Sequence, residues 1–280
     1  MMWRITPPWT CHRRALLAAA ALALAACGGT EPASAGPAPP EPNELIVLAA
    51  SSLTDAFTAL GEAFPLQPGN SGVKVFFSFG ASSQLRTQLV QGAPADLFAS
   101  ADMAQMEQAI EAGVIQGTPQ VFARNRLVVI VPQANPAGIT SLADLAKPGL
   151  KLVTTPQAVP VGAYTRQALA KMAAAPQYGA GFDERVLANV VSEEANVRQV
   201  VAKVQLGEAD AGIVYASDVT ANVAPHVKTL DIPDQFNSLA AYPIAVTKQA
   251  RAPATARRFI EYVRSPAGQA IMKRHGFVSV

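Results

Sequence analysis

Cysteine, tryptophan and histidine are nearly missing from this chain: two, two and three residues in 280. Cys11, Trp3, Trp9 and His12 all fall in the first 26 residues, which read below as a removed signal. The mature chain therefore keeps one cysteine, Cys27, and two histidines, His226 and His275. A single cysteine excludes an intramolecular disulfide and a cysteine-based metal site. Charge is sparse as well, at 15% Asp, Glu, Lys and Arg, with no basic or acidic block. Removing Arg4, Arg13 and Arg14 with the signal leaves 19 of 22 basic residues against 20 acidic ones, a net charge of −1. Nucleic-acid binding needs clustered basic residues to neutralise phosphates, so this composition argues against such a partner. No apolar run reaches the roughly 20 residues that a membrane span requires. The Ala/Leu run at 15–26 holds only twelve.

What is present begins with that run. Residues 1–14 carry three arginines and no acid, and the apolar stretch behind them completes a secretory signal. Leu24-Ala25-Ala26-Cys27 matches the lipobox of bacterial lipoproteins, in which the cysteine is lipidated and becomes the new N-terminus. Residues 1–26 are thus the expected signal peptide. Residues 27–43, rich in Gly, Pro, Ala and Ser, are the expected flexible tether. The rest is half apolar and long enough for two modest domains.

The pattern over 44–112 is strand, turn, helix, three times over. ELIVLAA (44–50) reads as a strand buried on both faces. Ser51-Ser52 follows at a helix start, where N-caps belong. VKVFFSF (73–79), then Ser82-Ser83 and a second helix, and ADLFAS (95–100) with a helix over 103–112, repeat the unit. Successive units of this kind predict an open α/β sheet. LVVIV (127–131) starts a second set: strands over 150–154 and 211–215, a loop over 157–162, and helices over 164–175 and 197–206. A strand over 242–247 and a helix over 254–272, with a break at Ser265-Pro266, close the chain. The expected architecture is α/β, with two open-sheet lobes joined by two crossings. Lobe I takes 44–124 plus 240–280, and lobe II takes 125–239. Open α/β sheets bind ligands at the carboxyl ends of their strands, here the cleft between the lobes.

Ser51-Ser52, Ser82-Ser83, Pro160-Val161-Gly162 and Asn196-Val197 each lie at or near a helix start and could face that cleft, joined by Tyr215. Helix N-termini carry unsatisfied N–H groups and the positive end of the macrodipole, so several together make an anion site without cations. Each serine alone reads as an ordinary cap, and Tyr215 alone as an aromatic ending a core strand; what points to a ligand is the convergence of the junctions. Arg198, His226 and His275 have no evident partner in the pattern, Arg198 being either a counter-ion or a loop anchor.

Four stretches make the reading specific: LAASSLTDAF (48–57), FGASSQLRTQ (79–88), GAPADLFASAD (92–102) and NVRQVVAKVQLGEADAGIVYASD (196–218). VPVGAYTRQAL (159–169) is a fifth. In these the chain resembles the periplasmic molybdate-binding protein family, of the type II periplasmic-binding fold. The resemblance implies an oxyanion held by the hydroxyls of Ser52, Ser82 and Tyr215 and by the backbone N–H groups of Val161 and Val197. It implies molybdate as ligand with tungstate beside it, and molybdenum present only as the bound oxyanion with no direct protein–metal bond. No cofactor and no catalysis are expected. The implied partners are the membrane permease and ATPase subunits of an ABC importer, with a monomer lipid-anchored through Cys27 on the extracytoplasmic side. VPVG departs from the commoner VPAG, which adds bulk at Val161 while keeping the N–H. Another tetrahedral oxyanion, sulfate or phosphate, is the nearest rival ligand. A secreted serine hydrolase is a remote one, since no G-x-S-x-G elbow occurs.

Overall fold

The computed structural model describes residues 41–280. The expected signal peptide, Cys27 and the expected tether up to residue 40 lie outside the described residues. In chain order the fold runs β1 (Glu44–Ala50), α1 (Thr54–Ala63), β2 (Lys74–Gly80), α2 (Ser82–Val90), β3 (Leu97–Ala99), α3 (Met103–Glu111) and β4 (Ile115–Asn125). It continues through β5 (Leu127–Pro132), β6 (Leu152–Thr154), α4 (Pro160–Ala173), α5 (Phe182–Leu187), β7 (Val190–Glu193), α6 (Val197–Gln205), β8 (Ala211–Tyr215) and β9 (Val227–Asp231). The last elements are β10 (Ala240–Thr247), α7 (Pro253–Arg264) and α8 (Pro266–Arg274).

Two five-stranded sheets result, in the orders β2-β1-β3-β10-β4 and β7-β6-β8-β5-β9. Both are mixed. β1 runs parallel to β2 and β3, whereas β10 lies antiparallel to β3 and β4. In the second sheet β6 is parallel to β7 and β8, and β5 is antiparallel to β8 and β9. The chain passes between the sheets twice, at Arg126 and through residues 232–239. The described body therefore has two lobes whose connecting strands sit side by side in both sheets.

The cores follow from residue type. β1 is an interior strand of its sheet, and Leu45, Val47, Leu48, Ala49 and Ala50 are all buried. Phe57 and Phe64 of the α1 region meet Phe259 of α7 with ring centroids 6.1 and 5.1 Å apart, edge to face. Each such ring contributes roughly 1.5–3 kcal/mol on burial, which fixes α1 and α7 on one face of the first sheet. In lobe II, Val200 and Val204 of α6 press on Gly212 of β8. A Cβ at Gly212 would lie 2.7 Å from Val200 Cγ1. That close approach seats α6 tightly on its sheet, and the N-terminus of α6 matters for the site.

Several elements differ from the pattern read along the sequence. β4 is an eleven-residue strand where the sequence shows Gly117 and Pro119 among polar residues, because it pairs along one side of β10 and only part of it is buried. β7, β9 and α5 are also additions, each short. The loop expected over 157–162 is shorter, since Pro160 is the first residue of α4. The terminal helix does break at Ser265, whose hydroxyl accepts from Gly268 N–H at 3.2 Å to start α8. Residues 41–43, expected in the tether, are held against lobe I. The Glu41 carboxylate accepts from the N–H groups of Ala254 and Thr255 at the start of α7, at 2.8 and 3.0 Å.

Candidate functional site

At the mouths of both sheets lies one small cavity of about 210 Å³, lined by Ser51, Ser52, Ser82, Val161, Val197, Tyr215 and neighbouring small residues. All five residues singled out in the sequence meet there, although 163 positions separate the first from the last. The cavity is tight, with small side chains forming most of its wall. It suits a small ion. A second void, of about 310 Å³, sits within lobe II among Leu145, Val153, Leu169 and Val186 and offers an ion almost no polar lining.

Four helical starts converge on the cavity. Ser51–Leu53 forms a single helical turn leading into α1, and Ser82 is the first residue of α2. Val161 is the second residue of α4, behind Pro160, and Val197 is the first of α6. The first N–H groups of each have no intrahelical acceptor. Asn196 caps α6, its Oδ1 accepting from Arg198 and Gln199 at 3.0 and 3.3 Å, and leaves Val197 N–H uncapped. Gly162 lets α4 reach the cleft. A Cβ there would stand 2.5 Å from Thr155 O and 2.3 Å from Pro156 O, an impossible contact with backbone.

The serines are not caps, which corrects the capping expectation. Neither makes a capping hydrogen bond. Ser52 Oγ lies 3.0 Å from the Tyr242 hydroxyl. Ser82 Oγ accepts from Ala101 N–H at 3.0 Å. That bond occupies an acceptor position of Ser82 and leaves its proton free to donate into the cavity.

Tyr215 is fully buried, held edge-on against Tyr164 and Tyr242 with centroids 6.5 and 5.8 Å away. Its hydroxyl has no protein partner. An unsatisfied buried hydroxyl costs on the order of 1–3 kcal/mol, and Tyr215 is among the residues that line the cavity. Burial, followed by the nearby Tyr242, raises its pKa well above the ordinary phenol value and keeps the proton in place.

Arg198 does not line the cavity. Its guanidinium pairs with Asp55 of α1 and sits 3.3 Å from Asp218, without hydrogen-bond alignment to the latter. It joins the lobes rather than serving as a counter-ion. Asp218, completely buried, accepts from Tyr215 N–H at 3.1 Å. Burial pushes its pKa up to about 7, against the opposing pull of Arg198 and the Tyr215 N–H. His226 and His275 stand away from the cavity and supply no base to either serine. Among the described residues no group of three His, Cys, Asp or Glu is placed to hold a metal ion.

Ser51 also lines the cavity, and Ala50, Ala81 and Ala101 complete its wall. Their small side chains let the backbone N–H groups approach. Neither Tyr242 nor Asn125 behind Ser52 is marked in the sequence, since no local signal links them to that serine, which lies 190 residues from Tyr242.

Residues 45–278 match the family described as bacterial extracellular solute-binding protein. The molybdate-binding protein ModA of Mycobacterium tuberculosis H37Rv is 42% identical over 255 residues, 91% of this chain and 92% of that protein. The periplasmic molybdate-binding protein of Azotobacter vinelandii superposes with a TM-score of 0.72 at 24% identity, covering 84% of this chain and 99% of that one. The sulfate-binding protein SubI of Mycobacterium tuberculosis H37Rv gives 0.77 at 20%, covering 85% and 87%. The last two share the fold.

Proposed function

The chain belongs to the bacterial extracellular solute-binding proteins, and from that premise we propose that it is the molybdate-binding component of an ABC importer. One observation carries the ligand: the cavity collects hydroxyls and helix N-termini and is lined by no charged side chain. A buried anion without partners is costly. Hydrogen bonds to a charged group are worth roughly 1.5–3 kcal/mol each. A cage of donors therefore offsets lost hydration without any cation. The same cage discriminates by protonation. Hydrogen phosphate brings a proton that needs an acceptor, and the Ser82 oxygen already accepts from Ala101 N–H. Molybdate and tungstate, both unprotonated tetrahedral dianions at neutral pH, fit. Sulfate shares that chemistry and differs in size, so it is the competitor to rank against them. Titration of the purified protein with all four ions tests the reading, with molybdate binding and hydrogen phosphate giving no heat.

The protein has no catalytic role in this reading. It hands its ion to permease and ATPase subunits, and opening at Arg126 and 232–239 would admit and release it. Among the described residues no helix is long and apolar enough to cross a membrane. Attachment rests on lipid at Cys27, as the lipobox at 24–27 motivates. Cell fractionation should find the wild-type protein with membranes and Cys27→Ser in the soluble fraction. Wild-type protein recovered wholly soluble would contradict the anchor.

A further inference from the structure

Behind Ser52 runs a buried line of polar groups that the cavity itself does not include. Asn125, the last residue of β4, is fully buried, and its side-chain oxygen accepts from Arg126 N–H at 3.0 Å. That bond fixes the amide orientation and turns Nδ2, a pure donor, toward Ser217 Oγ at 2.7 Å and the Tyr242 hydroxyl at 3.4 Å. Tyr242 is buried too, on β10 beside the second crossing, with Ser52 Oγ 3.0 Å from its hydroxyl. A hydroxyl that accepts from an amide must send its own proton elsewhere, and Ser52 Oγ is the acceptor in reach.

We infer that Asn125 and Tyr242 are positioning residues for the ligand: they set the polarity of a hydrogen-bond chain, Asn125 to Tyr242 to Ser52, which obliges Ser52 to donate its proton into the cavity. The inference rests on the oxyanion reading of that cavity. Without the Asn125 amide, Ser52 could turn its proton back to Tyr242 and present a lone pair to the anion; without the Tyr242 hydroxyl, nothing holds the Ser52 proton toward the cavity. Burial, and after it the charge of Asp218, keeps the Tyr242 phenol protonated well above its ordinary range, so the chain does not reverse by ionisation. Chains of this kind strengthen each member by mutual polarisation. Both residues also stand on the strands flanking the crossings, so one line of bonds joins the ligand serine to the segments between the lobes.

A double-mutant cycle read by molybdate titration tests this. Tyr242→Phe keeps the ring and its contacts with Phe122, Tyr215 and Phe277. It should weaken molybdate binding about fivefold to tenfold in the wild-type background. In the Ser52→Ala background the same change should alter affinity by less than about 1.5-fold, because Tyr242 acts through Ser52. An equal factor in both backgrounds, or no loss in the first, would overturn the proposal, since a merely structural role does not depend on the Ser52 hydroxyl. Thermal unfolding without ligand verifies that each variant is folded. Should Tyr242→Phe fail to fold, Asn125→Ala carries the same cycle with the same expected coupling. Wild-type protein that binds molybdate alongside uncoupled variants would refute the positioning role alone. Wild-type protein that does not bind molybdate would instead refute the oxyanion reading, and the proposal with it.

Discussion

Val197→Pro should lower molybdate affinity by about 10- to 150-fold while leaving the unliganded fold intact. The substitution removes one N–H and exchanges the buried Val197 side chain for a proline ring of similar size. Val197 is the first residue of α6, where proline is favoured because the N–H it lacks has no intrahelical partner. Asn196 before it is already extended, at φ −157° and ψ 169°, the conformation that a following proline demands. The cap survives, since Asn196 Oδ1 serves Arg198 and Gln199. What disappears is the donor proposed for the ion, worth roughly 1.5–3 kcal/mol when charge-assisted, which is the stated loss in affinity. Val197→Ala keeps the N–H and should bind nearly as wild type does. Calorimetric titration together with unliganded melting temperatures decides it. A folded proline variant with unchanged affinity would remove Val197 from the site.

The second large effect concerns stability and pH. The Asp218 carboxyl has its pKa raised by burial to about 7, from an ordinary value of 3.8. The folded state therefore holds this proton more tightly than the unfolded chain does. Below about pH 4 both states are protonated and the contribution is complete. Between about pH 4 and 7 the unfolded chain releases the proton first, and the contribution is lost as pH rises. Three units at 1.36 kcal/mol each make the loss on the order of 4 kcal/mol. Other carboxylates slope the opposite way: Asp144, held by Lys147 and the N–H groups of Thr140 and Ser141, has its pKa lowered. The comparison must therefore be differential. Urea unfolding of wild type and Asp218→Asn across pH 4 to 8 should show the variant gaining on wild type as pH rises. Curves that stay parallel would mean Asp218 titrates normally, its pairing with Arg198 outweighing burial.

Much of this was legible in the sequence, for identifiable reasons. β1 and β8 announce themselves as apolar runs because their sheets bury both faces. The starts of α2 and α6 coincide with a serine pair and with Asn196, although only Asn196 caps its helix. Pro160 was ambiguous, being as common in loops as at a first helical turn. β4 was invisible, because its pairing with β10 joins residues more than a hundred positions apart and its side chains show no clean alternation. The same holds within the site. Local sequence points to Ser52 and Ser82 but not to what their oxygens accept. Those partners, Tyr242 and Ala101 N–H, are tertiary facts. Arg198 was equally undecidable, since Asp55, which occupies its guanidinium, lies 143 residues away.

The central question is whether a cavity of neutral donors selects an unprotonated tetrahedral dianion. Calorimetric titration of the purified protein with molybdate, tungstate, sulfate and hydrogen phosphate at one pH and ionic strength measures that directly. The predicted order places molybdate and tungstate together at the top, sulfate weaker and hydrogen phosphate without detectable heat. Hydrogen phosphate binding as tightly as molybdate would contradict the donor-only cavity, and sulfate binding more tightly than molybdate would assign the protein a different cargo.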